Sequence, residues 1–402
     1  MARVGIELPT GSKADLAKRL FAHVEHKTTD LADSTMEIDH RQYLDPGLAA
    51  SERRLIFGRA PIVAAHGSEL PNRSDFVTVQ LPNNEALVIR QADGSVRAFV
   101  NSCRHRGARL VLDDAGTRKM FSCGYHGWAY AGDGSLKVVP GGDTFGEVDK
   151  SCRGLVELPC EERHGLVWVI DSREAELDVA DWLGDELDAT FTAYGLDSYV
   201  CYRSGVFDEP INWKTLMDAF VDSYHLAVTH AGSVAPYFHS NLQAYDPLGQ
   251  HGRAVTPRTS IAKILDVAPD VAPIEDHVTI GYSVMPCTVF LRQPDHFQLM
   301  TYIPHPSDPG RCRMEIKLLV PEPVETDERR AFWDKNWRIL MAVIRDEDMG
   351  LNRHLQRSMA NGDAQSLILG RNEIVNQAFH RWLDSSMDEQ AALDERPTMA
   401  QA

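Results

Sequence analysis

Apolar positions in the first sixty residues recur at helical spacing, in LAKRLFAHVEH (16–26) and SERRLIF (51–57), and then the period changes. From about residue 60 the stretches DFVTVQLP, ALVIRQADGSVRAFVN and GLVELPCEERHGLVWVID alternate apolar with polar side chains, which predicts strands. Turn pairs at Asp93-Gly94 and Asp133-Gly134 predict that these strands run antiparallel. The acidic segment DSREAELDVADWLGDELD (171–188) marks the exit from this β-rich part. Beyond it, strands (MPCTVFLRQ, FQLMTYIP, RMEIKLLV) mix with two long helical patterns, PINWKTLMDAFVDSYHLAV and ERRAFWDKNWRILMAVIRDEDMGLNRHLQRSM. The texture is α+β. It divides the chain into a helical segment (1–58), a β-rich domain (59–172) and a larger mixed domain (173–402).

Composition narrows the classes. The chain has 402 residues, 43% hydrophobic and 25% charged, ordinary for globular domains. A net charge of −17 argues against nucleic acid as a partner. No apolar run of about 18 residues is present, so no membrane span is expected. The N-terminal residues lack the apolar core of an export signal. Five of the seven cysteines (Cys152, Cys160, Cys201, Cys287, Cys312) show no framework spacing, which fits a reduced, cytoplasmic setting.

The other two belong to Cys103-Arg-His105 and Cys123-Gly-Tyr-His126, with 17 residues between His105 and Cys123. Two thiolates and two imidazoles arriving as Cys-His pairs suit a [2Fe–2S] cluster with two Cys on one iron and two His on the other. A structural Cys2His2 zinc site is the alternative, although zinc folds usually pair Cys with Cys and His with His. Gly107 and Gly127 allow each loop to turn sharply. The spacing resembles the Rieske motif. Respiratory Rieske proteins add a disulfide between the two loops, which Ala108 and Tyr125 cannot make, and a Ser after the second His-Gly, where Trp128 stands. Fewer hydrogen bonds to sulfur imply a potential on the order of −150 mV, near the low end of the Rieske range.

A second constellation lies in the mixed domain. His225 and His230 are five residues apart. On a regular helix they would point about 140° apart, so the helix must widen or end between them to bring both to one metal. Two His and one carboxylate form the facial triad of non-haem Fe(II) oxygenases. The run Asn212-Trp-Lys followed by Asp222-Ser-Tyr-His225 and His230, downstream of the Cys-His loops, resembles the α subunits of Rieske non-haem iron oxygenases. Many members of that family carry Glu-Asp with a Gln eight residues later, which matches Glu347-Asp348 and Gln356. The resemblance makes Asp348 the third ligand, with Asp346 and Glu347 as alternatives. It implies that Asp222 orients His225 and reaches His126 of a neighbouring subunit. Asp218, one turn earlier, is a further candidate for an acidic group near the metal.

What the resemblance implies is a terminal oxygenase. Its cofactors would be a Rieske [2Fe–2S] cluster and mononuclear Fe(II). Its partners would be a ferredoxin or an NAD(P)H-dependent flavin reductase, O2 and a small organic substrate. The oxygenase class acts in aromatic hydrocarbon catabolism. The fold implied is a β Rieske domain beside a catalytic domain with a central antiparallel sheet and flanking helices, on which segment 1–58 packs. The assembly implied is a homotrimer, with a small β subunit possible. Mono- or dihydroxylation of an apolar or aromatic compound and demethylation of an N-methyl amine share one iron site and stay open. A pure Rieske electron carrier would need only about 100 residues. Arg104, Arg106, Arg109, Arg118 and Lys119 surround the two loops and would either steer an acidic donor or pack at subunit contacts.

Overall fold

The computed structural model describes residues 10–361 and 366–394. The chain forms two compact units, one of Phe57–Trp182 with Leu196–Ser198, the other of Met1–Ile56, Leu183–Gly195 and Tyr199–Ala402.

The first unit is built from short antiparallel strands. A five-stranded sheet runs in the order Glu157–Leu158, Val96–Val100, Glu85–Arg90, Asp75–Gln80, Ala115–Thr117. Two three-stranded sheets accompany it: Cys160–Arg163, Leu166–Val169, Ile62–His66, and Met120–Ser122, Ala129–Ala131, Leu136–Val138. The hairpin turn at Asp93-Gly94 has Gly94 at φ 89°, a conformation that glycine adopts without strain. Phe76, Leu87, Phe99, Phe121 and Tyr130 from these strands pack in one core with Cys103 and Cys123. The two Cys-His loops therefore leave a rigid base.

The second unit centres on a seven-stranded antiparallel sheet, in the order Val200–Glu209, Cys312–Val320, Phe297–Pro304, Thr288–Arg292, Val278–Val284, His251–Pro257, Ala244–Leu248. Phe297–Pro304 lies inside the sheet and is buried at every position, because both faces are covered. Val200–Glu209, at the edge, is half-buried over its first three residues and alternates exposed with half-buried ones from Ser204 to Asp208. The segment Met36–Ile38 pairs with Leu367–Leu369 in a two-stranded sheet.

Both long helical patterns are interrupted. Helix Trp213–Val221, with Asn212 as its cap, stops at Val221 rather than running to residue 228. Asp222 is extended (φ −87°, ψ 140°), and its carboxylate takes the backbone N–H groups of Tyr224 and His225. A side chain that satisfies those donors competes with the next helical turn. The second pattern is α-helical over Asp327–Ala342, π-helical over Val343–Asp348 and α-helical again over Met349–Ala360.

The helix start at Asn212 is held from three sides. Its N–H donates to Gln356 Oε1 (2.8 Å), and its side-chain amide donates to the carbonyls of Tyr43 and Pro309. Lys214 forms a buried ion pair with Glu52, and Glu52 also accepts Trp213 Nε1–H at 3.3 Å. Asn212 and Gln356 thus clamp the helix that precedes His225 to the helix that follows Asp348, and Trp213 and Lys214 tie the same start to Glu52.

Candidate metal centres and cavity

The two Cys-His loops have the same backbone plan. Gly107 N–H donates to Cys103 O and Gly127 N–H to Cys123 O, both at 2.9 Å, with the glycines at φ 74° and 73°. The cysteine N–H groups close the loops on Ala108 O and Trp128 O, both at 2.8 Å. Cys103 and Cys123 are buried and free. The rings of His105 and His126 lie 4.7 Å apart. Trp128 lies parallel to His105 at 5.0 Å, and Tyr125 packs on His126 at 3.7 Å. His105 Nδ1 is buried with no hydrogen-bond partner among the described residues, and such an atom costs free energy unless something binds it. Two free buried thiols and an orphaned imidazole nitrogen fit a [2Fe–2S] cluster.

Tyr130 adds a contact that the sequence did not suggest. Its hydroxyl lies 3.4 Å from Cys103 Sγ and accepts the Arg104 N–H at 2.9 Å. Burial and the Cys103 sulfur push its phenol above the ordinary range, so it stays protonated and able to donate to a thiolate. Of the five basic residues near the loops, Arg109 is paired with Glu85 and Arg118 with Asp113, while Arg106 lies over the Tyr125 ring.

In the second unit, His225 and His230 flank a single helical turn, Leu226–Thr229, His225 at its start and His230 at its end. The expectation was a helix that widens or ends between them. Instead the helix ends before both, and the turn between them closes with His230 N–H on Leu226 O. His225 Nε2 and His230 Nε2 stand 3.2 Å apart. Asp348 Oδ1 is 3.2 Å from His230 Nε2 and 4.0 Å from His225 Nε2. Among the described residues these three are the group of His, Cys, Asp and Glu side chains whose donor atoms converge closely enough to hold one metal ion. Two imidazole nitrogens and one carboxylate oxygen are the donor set of a facial triad.

The alternatives to Asp348 face elsewhere. Asp346 is exposed and bonded to Arg345. Glu347 takes the opposite nitrogen of His230, with Oε2 2.5 Å from Nδ1, and also accepts Ser233 Oγ–H at 2.7 Å. Asp222 Oδ2 is 2.9 Å from His225 Nδ1. Each imidazole therefore has its own carboxylate behind it, which fixes the ring and its tautomer. Burial disfavours a charged His230, but Asp348 and Glu347 outweigh it and raise its pKa above the ordinary value. Asp218 is not at this cluster; it accepts from Tyr43 Oη–H (2.7 Å) and touches His380 Nε2 (3.0 Å).

The three side chains open on a cavity of about 410 Å³, within the usual size for small-molecule sites. Val289, Leu291 and Met300 from the sheet and Ile339, Leu340 and Val343 from the helical segment line it. Arg258, Thr279 and Gln293 also line it.

Residues 60–151 match the model of the Rieske [2Fe-2S] domain, and residues 196–389 match that of the ring hydroxylating alpha subunit (catalytic domain). The chain belongs to the Rieske ring-hydroxylating oxygenase α-subunit family. It is 40% identical over 199 residues to the large oxygenase component of the 2,4-dinitrotoluene dioxygenase system of Burkholderia sp. (strain RASC), covering 48% of this chain and 44% of that one. It is 38% identical over 228 residues to the corresponding naphthalene 1,2-dioxygenase component of Ralstonia sp, covering 54% and 48%. The chain thus spans about half the length of these two relatives. The oxygenase subunit of carnitine monooxygenase from Acinetobacter pittii (strain PHEA-2) is 29% identical over 77% of this chain and 81% of that one. Among solved structures, a quaternary ammonium Rieske monooxygenase with L-carnitine superposes with TM-score 0.73 at 22% identity, covering 89% of this chain and 96% of that one. Naphthalene 1,2-dioxygenase from Rhodococcus sp. with indole gives 0.71 at 21%, covering 96% and 99%. At that identity the likeness is one of fold. Among the described residues no helix is long and apolar enough to cross a membrane.

Proposed function

We propose that this family member is the terminal oxygenase of a multicomponent system that hydroxylates an apolar or aromatic compound with O2 and electrons from a ferredoxin or flavin reductase. The observation that carries this reading is the convergence of His225 Nε2, His230 Nε2 and Asp348 Oδ1 on a cavity walled mostly by apolar side chains. In it, Cys103, Cys123, His105 and His126 hold the Rieske cluster, and His225, His230 and Asp348 hold Fe(II). Bound there, the two groups would supply single-electron transfer and O2 activation. The chain's own residues do the positioning. Asp222 and Glu347 accept the Nδ1–H of His225 and His230, which leaves each Nε2 lone pair free on the side of Asp348. The apolar walls keep water from the reacting end of a substrate.

The reading extends to assembly. Three chains in a head-to-tail ring would bring Asp222 of one to His126 of the next, and the exposure of His126 favours such a contact. The domain limits 1–58, 59–172 and 173–402, a cytoplasmic setting, a role in aromatic catabolism and an optional small β subunit belong to the same proposal. A second reading, demethylation of an N-methyl amine, draws on the length over which the carnitine monooxygenase subunit aligns.

The test is iron content and coupled turnover. The expected content is about three irons per chain. With a surrogate reductase, O2 uptake is followed against product mass for apolar, aromatic and N-methyl compounds; added oxygen marks hydroxylation and formaldehyde marks demethylation. A protein with three irons that oxygenates none of them overturns the proposal.

A further inference from the structure

Among the described residues that line the apolar cavity, Arg258 is an arginine that forms no ion pair. Arg258 follows strand His251–Pro257 directly and lines the same cavity as His225, His230 and Asp348. Its backbone forms a β-bridge with Phe238, at the end of the segment that leaves His230, and its guanidinium lies 5.1 Å over the Phe238 ring. One terminal nitrogen, Nη2, donates to Gln293 Oε1 and, at 3.3 Å, to Thr279 Oγ1. Thr279 Oγ1–H also donates to Gln293 Oε1 at 2.9 Å, so these neutral groups hold one another as well as the guanidinium. Nε is buried and meets no acceptor among the described residues.

Several other half-buried or buried arginines of this unit meet carboxylates, whereas Arg292, outside the cavity lining, donates to the Glu275 carbonyl. Arg253 and Arg19 share Asp246 at 2.9 and 2.6 Å, and Arg353 meets Glu209 at 2.6 Å. Arg258 forms no ion pair among the described residues. Asp295 attracts it at longer range, but that carboxylate is half exposed and bound to His296 Nδ1 at 2.7 Å. Arg292 adds positive charge from nearby, and together with burial this lowers the pKa of Arg258. A partly buried cation held only by neutral acceptors is costly unless an anion completes it.

We propose that Arg258 is the recognition group for a carboxylate on the substrate, so that the cavity takes an aromatic or otherwise apolar acid. The guanidinium fork matches a carboxylate, and Thr279 and Gln293 hold the fork in place. At the iron end, the carboxylates of Asp348, Asp222 and Glu347 would offset the charge of a bound Fe(II), which leaves the Arg258 guanidinium as the positive charge offered to the acid. The two ends together orient the acid toward Arg258 and the apolar body toward His225 and His230. This inference rests on the oxygenase reading only for which cavity receives substrate.

The test is equilibrium binding to the metal-loaded full chain by calorimetry at pH 7.5, without turnover. The probes are benzoate and 2-naphthoate, each beside its neutral amide, benzamide and 2-naphthamide. Wild type should bind at least one acid about tenfold or more tightly than its amide, the scale of one charge-assisted contact. Arg258→Gln should bring acid and amide to within about twofold while amide affinity stays unchanged. Visible absorption and thermal unfolding check that the variant is folded. Should R258Q not fold, Arg258→Lys serves instead, with acid affinity reduced and amide affinity kept, since a point charge replaces the fork. Equal affinities in wild type, a preference that survives both variants, or no binding of either acid at millimolar concentration overturns the proposal. Failure of the oxygenase reading looks different: the acids bind through Arg258, yet no compound is oxygenated.

Discussion

Replacing Tyr130 by Phe removes one oxygen from a fully buried ring and with it the contact to Cys103 Sγ. A donor to a cluster thiolate favours the reduced cluster, which carries more negative charge, so its loss should lower the midpoint potential. The contact is long at 3.4 Å and the donor is neutral, so a difference of about 1 kcal/mol between the two redox states is the reasonable scale. For one electron, about 59 mV corresponds to 1.4 kcal/mol, which makes the expected drop about 40 mV. The Arg104 N–H also loses its acceptor, but Arg104 is exposed and water can replace it. The assay is a redox titration followed by visible absorption, with Tyr130→Phe and wild type in the same buffer. The low potential expected from Trp128 in place of Ser would then be partly offset in this chain by Tyr130. A potential unchanged within about 10 mV, or one that rises, refutes the reasoning.

Three further outcomes follow from the second unit. Glu347→Gln should weaken iron binding at the mononuclear site by about 10–100-fold, measured by chelator competition, while the cluster absorption stays intact; unchanged affinity would mean that Glu347 does not set the His230 tautomer. Lys214→Met leaves Glu52 buried and unpaired, and should cost about 3–5 kcal/mol in chemical denaturation; a loss below about 1 kcal/mol would count against the clamp at the helix start. In metal-free protein the raised pKa of His230 makes its contacts with Asp348 and Glu347 stabilising below pH 6.5, the unfolded value, and this contribution disappears as pH rises through the higher folded value. The difference in thermal stability between wild type and His230→Gln should therefore shrink across that window, and iron, which displaces the same proton, should bind more tightly as pH rises. A difference independent of pH would contradict this.

Period-two alternation made the strands and their antiparallel pairing legible, and ligand spacing made both Cys-His loops legible. The local route to His225 and His230 was not. It depends on one extended residue, Asp222, whose carboxylate takes two backbone N–H groups, and no apolar period records that. Glu347 looked like an alternative ligand because adjacent acids are indistinguishable in a string. Only the path of the helix puts it on one ring nitrogen of His230 and Asp348 on the other. Tyr130 reads as an ordinary core aromatic until the hairpin of Met120–Ser122 with Ala129–Ala131 places it against Cys103. Arg258, Thr279 and Gln293 are far apart in sequence, and what unites them is strand register, with Thr256 opposite Thr279 and Ile280 opposite Arg292.

The π-helical stretch Val343–Asp348 limits how such a chain can vary. Winding the same six residues as a regular α-helix would turn everything beyond them by about 100°. That turn would displace Asp348 from the two histidines and, with it, Gln356 from Asn212 and Arg353 from Glu209. A change that favours regular α-helical winding there is felt at once by the candidate ligand Asp348 and by the packing of the unit. Arg258, Thr279 and Gln293 lie on the sheet and depend on no residue of that helix for their hydrogen bonds. Their hydrogen bonds are separate from those of His225, His230 and Asp348, so the lining of the cavity can vary in descendants of this chain far more readily than the positions of the three candidate ligands.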